Sequence, residues 1–130
     1  MSSKITPIFT DLAPNPVGPY SQAIRVENLV FISGMIALIP GTNDLDVSSF
    51  EAEATRVLDN LSAAIIASGS SMEHVAKVTI YLANMDDFPR LNAIYATYFN
   101  EPYPARVTIE VSRLPKDVSV EIEAIAVVVG

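Results

Sequence analysis

The segment 118–129 constrains the fold most. Ser119, Glu121 and Glu123 share one face of an extended chain, and Val120, Ile122 and Ala124 share the other. Past Glu123 the polar face gives way to Ile125, Val127 and Val129. A strand apolar on both faces requires cover on both. Its apolar run, 124–129, is far too short to span a bilayer. The remaining sequence predicts two helices, and two helices cover only one face of a sheet. Too little chain is left to cover the second face. Self-association into a symmetric homo-oligomer is the economical solution.

Residues 106–112 also alternate: Arg106, Thr108 and Glu110 point one way, Val107, Ile109 and Val111 the other. Residues 114–117, Leu-Pro-Lys-Asp, make the turn between these two strands. Residues 23–26 and 29–33 are short β-type runs separated by Glu27-Asn28, which predicts a hairpin. Asn28 suits the left-handed conformation of such a turn. Residues 35–39 read as a further short strand halted by Pro40-Gly41.

Residues 48–68 carry the clearest helical pattern. Ser48 caps the helix, and Glu51 three residues later completes a capping box. Ala54, Val57, Leu58, Leu61, Ile65 and Ser68 fall on one face, and Gly69 ends it. Residues 75–83 are rich in β-branched and aromatic types and predict a strand. Residues 86–100 predict a second helix, with Pro89 tolerated in its first turn. Phe88, Leu91, Tyr95, Tyr98 and Phe99 supply its apolar stripe. Without repeats or linkers, the order strands, helix, strand, helix, two strands predicts one α+β domain over residues 1–130.

Several function classes are disfavoured. The chain has 130 residues, of which 50% are hydrophobic, enough for one core without staples. It has no cysteine, so disulfides, thiolate metal sites and cysteine nucleophiles are excluded. The net charge is -7 and the eight Lys and Arg are scattered, the opposite of a phosphate-binding surface, so no nucleic-acid partner is expected. Residues 1–7 lack an apolar or arginine-rich leader pattern. The expected setting is the cytoplasm, or a mitochondrial matrix in a eukaryote, with no membrane partner.

Three blocks carry a family resemblance. The first is Pro104-Ala105-Arg106-Val107-Thr108-Ile109-Glu110-Val111, continued by Leu114-Pro115-Lys116-Asp117-Val118 and Glu121-Ile122-Glu123-Ala124-Ile125-Ala126. The second is Gly18-Pro19-Tyr20-Ser21-Gln22-Ala23 with Ile32-Ser33-Gly34, and the third is Asn92-Ala93-Ile94-Tyr95. In this order and spacing they resemble the RidA family, also called YjgF or L-PSP, over nearly the whole chain. The resemblance implies a chorismate-mutase-like mixed sheet with two helices on one face and a homotrimer with clefts between subunits. It implies deamination of 2-imino acids such as 2-iminobutanoate and 2-iminopropanoate, which pyridoxal-phosphate enzymes release, with no metal or organic cofactor. Some relatives carry an older label as ribonucleases or translation inhibitors.

Imine hydrolysis needs a cation for the carboxylate, a placed water and proton traffic to nitrogen. Arg106 suits the first task, because guanidinium binds carboxylate through two parallel hydrogen bonds. On residue type alone it reads equally as a surface arginine paired with Glu110. Glu121 matches the family's water-positioning glutamate, and burial would raise its pKa into a useful range. On residue type alone it is a solvated strand carboxylate beside Glu123, which reads as structural. Tyr20 matches a substrate-contacting tyrosine, able to pack and to hydrogen-bond; its plainer role is to plug the core edge.

Ser33 is placed to donate to the carboxylate, and Gly34 to let backbone approach closely. Asn92 on the second helix is placed to fix polar groups of the cleft, or is an ordinary surface amide. Thr108 lies one β-step from Arg106 on the same face, lining the cleft or filling the strand. Relatives commonly carry Gln-Ile-Pro after the Ser-Gly pair; Met35-Ile36-Ala37 here departs from this and bears on substrate preference. The alternative to an imine deaminase is a non-catalytic binder of 2-oxo acids or similar metabolites; an endoribonuclease is the third reading.

Other candidates are weaker. His74 is the only histidine, which supports neither a two-histidine metal site nor a serine triad. Lys77 sits mid-strand and reads as solvated. Asp44, Asp46, Glu51 and Glu53 surround a helix start and favour its dipole.

Overall fold

The computed structural model describes residues 4–129. Six strands and two helices follow one another as β1 (Ile5–Ile8), β2 (Ala23–Val26), β3 (Leu29–Met35), α1 (Phe50–Ala67), β4 (Val75–Leu82), α2 (Phe88–Tyr95), β5 (Ala105–Glu110) and β6 (Val120–Val127). The strands form one mixed sheet in the order β1-β2-β3-β6-β4-β5. Only β4 and β5, joined through α2, run parallel. Both helices lie on one face of this α+β domain.

Alternation decides which side chains meet the helices. Val78, Ile80 and Leu82 of β4 and Val120, Ile122, Ala124 and Ala126 of β6 are buried in the core with Val57, Leu58, Leu61 and Ile65 of α1. Leu91, Tyr95 and Phe99 close the core from the α2 side, with Tyr95 and Phe99 stacked at 4.4 Å. The other face is open. Leu29 and Phe31 of β3 are 40% and 43% exposed, and Val107 and Ile109 of β5 are 44% and 41% exposed. Ile125 and Val127 lie between them, in register with Phe31 and Leu29. The two-sided apolar character expected of segment 118–129 is real, and within one chain the described residues leave its second face without a covering layer.

Several boundaries differ from those read in the sequence. Strand β1 was not expected; its Pro7 is tolerated because β1 is an edge strand. Residues 35–39 are not a separate strand. Strand β3 runs through Gly34 to Met35, its register with β6 shifts between Ile32 and Met35, and only an isolated bridge, Leu38 to Leu45, follows. The physical reason lies in α1: the buried Asn60 Nδ2 donates to the carbonyls of Ile36 (3.0 Å) and Leu38 (2.8 Å) in place of a neighbouring strand.

Ser49, not Ser48, caps α1, its Oγ accepting from the Ala52 amide at 3.0 Å. Glu51 thereby moves one position too early for a capping box. Gly69 with φ +88 follows the C-cap Ser68, and the amides of Gly69 and Ser70 return to the carbonyls of Ile66 and Ile65. Helix α2 ends at Tyr95, because the next amides, Thr97 and Tyr98, bond three residues back and tighten the chain. The left-handed residue of the β2–β3 turn is Glu27 (φ 56), not Asn28.

Candidate active site

Glu121 occupies the centre of β6 on the face away from the helices, directly opposite Tyr81 of β4. It lines a cavity of about 330 Å³ together with Tyr20, Ser33, Gly34, Ile36 and Pro115. Four of the residues singled out from the sequence therefore meet in one place: Tyr20, Ser33, Gly34 and Glu121. Burial pushes the Glu121 carboxyl above the ordinary carboxylate range, and the negative charge of Glu123 adds to this.

Gly34 is required by this arrangement. A Cβ there would stand 2.9 Å from Cδ of Glu121 and closer still to its Oε2. Tyr20 ends the proline-rich loop ahead of β2, and its Oη accepts the Val17 amide at 3.2 Å, leaving its own hydrogen for another partner. The Ser33 hydroxyl donates to the Ser21 carbonyl at 2.6 Å. In this rotamer it offers a substrate lone pairs, and it must turn to become the carboxylate donor expected from sequence.

Three buried polar side chains hold the walls, and sequence reading did not single out any of them for this role. Gln22 ties down residues 10–14: its Nε2 donates to the carbonyls of Thr10 and Pro14 at 3.0 and 2.8 Å, and its Oε1 accepts the Thr10 amide at 2.7 Å. Glu53 of α1, assigned from sequence only to the helix dipole, accepts the amides of Ser119 (2.7 Å) and Val120 (3.2 Å), immediately before Glu121. Asn60 holds the 36–38 wall. The one signal available in sequence was a polar residue interrupting an apolar stripe, as Asn60 does between Val57-Leu58 and Leu61.

Arg106 lies elsewhere. It is the register partner of Val78, which points at the helices, so Arg106 points there too. Its Nη1 donates to Asn92 Oδ1 at 2.8 Å, and its Cζ sits 4.8 Å from the ring centre of Tyr95 and 5.4 Å from that of Phe88. With Tyr95, Tyr103 and Pro104 it lines a second cavity of about 320 Å³. Glu110, the alternative partner of Arg106, instead accepts the Met85 amide at 2.8 Å. Thr108 follows Arg106 on the same face, its Oγ1 buried without a partner among the described residues.

Within one chain Arg106 and Glu121 line separate cavities; the expectation placed them together only at a cleft where neighbouring chains meet. The two residues project from opposite faces of the sheet, with β4 between their strands. His74 pairs with Ser71 and Lys77 is exposed, so neither joins a cavity with Glu121 or Arg106. Among the described residues no group of three or more His, Cys, Asp or Glu is placed to hold a metal ion, and no helix is long and apolar enough to cross a membrane.

These features define an α+β domain with a cavity of small-molecule size on each face of its sheet. The chain belongs to the family described as Endoribonuclease L-PSP, the RidA family, whose profile matches residues 10–128. A RutC family protein of Pyrococcus horikoshii is 51% identical over 92% of this chain and 94% of its own length. A 2-iminobutanoate/2-iminopropanoate deaminase of Dermatophagoides farinae is 44% identical over 93% of this chain and 94% of its own. Among solved structures, RidA from an Antarctic Psychrobacter is 42% identical with a TM-score of 0.90, covering 94% of this chain and 98% of that one. E. coli TdcF with bound serine is 38% identical with a TM-score of 0.88 over 94% of this chain and 98% of that one.

Proposed function

We propose that this protein is a hydrolase of 2-imino and 2-enamino acids, yielding 2-oxo acids and ammonia in clefts between the subunits of a homotrimer. The observation that carries this reading is Glu121, a half-buried carboxyl whose pKa is raised, set beside Gly34, Tyr20 and Ser33 in a cavity whose remaining walls are apolar. The deaminase name of the Dermatophagoides relative supports the same reading. The open apolar face of the sheet supports the assembly.

In this mechanism a neighbouring copy's Arg106 holds the substrate carboxylate through two hydrogen bonds, while Asn92 and the rings of Phe88 and Tyr95 fix the orientation of its planar guanidinium. The ionised Glu121 takes a proton from water as the water oxygen bonds to the C=N carbon. It then returns that proton to the nitrogen of the tetrahedral adduct. Glu121 next moves the proton of the new hydroxyl to the same nitrogen, so that the C–N bond breaks as the C=O bond forms, ammonia leaves and the 2-oxo acid remains. Tyr20 donates its free hydroxyl hydrogen to the substrate, Gly34 offers its backbone, and Ser33 and Thr108 complete the polar lining. No cofactor takes part in these steps.

The test couples a pyridoxal-phosphate dehydratase, which generates 2-aminoacrylate from serine, to this protein and times 2-oxo acid release. Release should accelerate in proportion to added protein. An unchanged time course at equimolar protein would remove the reading. A second reading, that the clefts bind small metabolites without turning them over, is favoured by the serine bound to the relative TdcF. It requires ligand-dependent thermal stabilisation with no turnover at any protein concentration. The ribonuclease name of the family finds less support here: the net charge is -7, and the only histidine lines neither cavity that holds Glu121 or Arg106.

A further inference from the structure

Glu123 stands two residues beyond Glu121 on β6 and so projects from the same face. Its Oε1 accepts a short hydrogen bond from the Tyr81 hydroxyl. Yet Tyr81 is the register partner of Glu121; the partner of Glu123 is Thr79. The tyrosine therefore stands opposite one glutamate and bonds diagonally to the other. Two carboxylates side by side on a half-buried face repel each other. Left to itself, Glu123 would relieve this by swinging into solvent; the Tyr81 bond keeps it in place.

We propose that Tyr81 and Glu123 form a positioning pair for Glu121, fixing a negative charge at its flank so that the Glu121 carboxyl can both take and return a proton during hydrolysis. This rests on the imine-hydrolase reading above. The groups facing Glu121 are consistent with the pair setting its behaviour. Glu123 faces it from β6 and Tyr81 from β4, with Lys77 exposed four residues before Tyr81 on the same face of β4. Tyr20 comes from the loop before β2, and only the uncharged Ser33 and Gly34 from β3. Pro115 comes from the turn before β6, with Lys116 exposed beside it. Among the described residues no cation makes an ion pair with Glu121 or Glu123. In the assembled cleft Arg106 of a neighbouring copy adds one positive charge, which the substrate carboxylate engages. Tyr81 itself is pushed up to about 12 by its bond to Glu123, with smaller contributions from burial and from both glutamate charges, so it remains a donor at neutral pH.

The test titrates the ¹³C carboxyl signal of Glu121, assigned by its loss in Glu121→Gln, in the full-length assembled protein. Glu123→Gln removes the charge with little change of shape and should move the Glu121 midpoint to lower pH. Tyr81→Phe frees Glu123 and should move it the same way by less. The double variant should match Glu123→Gln alone. The acidic limb of the pH–rate profile should shift with the midpoint while KM holds. A midpoint unmoved by Glu123→Gln, or single shifts that add in the double variant, overturns the pairing. A midpoint that moves as expected in a protein without imine turnover supports the pair and removes the imine reading alone.

Discussion

Glu121 occupies the space that a side chain at Gly34 would fill. The glycine sits where β3 shifts register against β6, and the carboxylate leans over its bare Cα. Gly34→Ala must therefore push Glu121 aside without disturbing the core on the other face. Misplacing a reacting group by about 1 Å costs roughly a hundredfold in rate. We expect a kcat loss of that order with circular dichroism unchanged.

Arg106 is expected to act on binding. Hydrogen bonds to a charged partner contribute about 1.5–3 kcal/mol. Arg106→Ala should raise KM for 2-aminoacrylate roughly tenfold to a hundredfold. Arg106→Lys, which keeps the charge but loses the planar fork, should fall between. Steady-state kinetics with the coupled dehydratase reads both, and equal KM values for Ala and wild type would contradict the assignment.

Because Arg106 and Glu121 face opposite ways, the cleft proposed above takes one from each of two chains. At 2-aminoacrylate well below the raised KM, Arg106→Ala through weakened binding and Glu121→Gln through lost proton transfer should each turn over little alone. Unfolded together and refolded, they should regain about a quarter of wild-type turnover, the share of randomly formed clefts that receive both intact residues. Sedimentation should give a trimer throughout. No recovery in verified mixed trimers would mean that the residues do not share a cleft.

The raised pKa of Glu121 also has a sign for stability. A carboxyl whose folded pKa exceeds its unfolded value contributes stability that is complete below the unfolded value, here near 4.5, and lost as pH rises through the folded one. At pH 7 the ionised Glu121 weakens the fold. Glu121→Gln should raise the melting temperature at pH 7 while abolishing turnover, and the gain should vanish below about pH 4. Calorimetry across that range checks it.

Glu53 is expected to matter first for stability. Its carboxylate is buried and accepts two amides at the start of β6. Glu53→Ala leaves both amides without that acceptor, at about 1–3 kcal/mol each. A loss of roughly 2–6 kcal/mol in urea unfolding is expected. A variant within 0.5 kcal/mol of wild type, inside the range of ordinary surface changes, would contradict the assignment.

Much of the frame was legible because it depends on periodicity. The alternation of segment 118–129 placed Glu121 and Ile122 on opposite faces, and the apolar stripe of α1 placed Leu58 and Leu61 in the core. Arg106 and Glu121 stood out only through their motif, since strand arginines and glutamates are otherwise ordinary surface residues. What stayed hidden depends on the third dimension. Gln22, Glu53 and Asn60 look like solvated residues until their carbonyl and amide partners, distant in sequence, are seen. The split of Arg106 from Glu121 follows from the register of β4 with its two neighbours, which pairs Arg106 with Val78 and Glu121 with Tyr81 on opposite faces, and no local pattern encodes that register. Ile5–Ile8 escaped because its proline reads as a loop signal unless the strand is known to lie at an edge.

Asn60 grips the main chain at Ile36 and Leu38, not their side chains. Those hydrogen bonds are indifferent to which residues stand there, so the cavity wall is held independently of what it is made of. Replacing Ile36 or Leu38 recuts the interior while the sheet and α1 keep their contacts. Selection for a new substrate has in this short segment a place to write changes, provided the new side chains keep the volume that Ile36 and Leu38 pack against Leu114 and Val118.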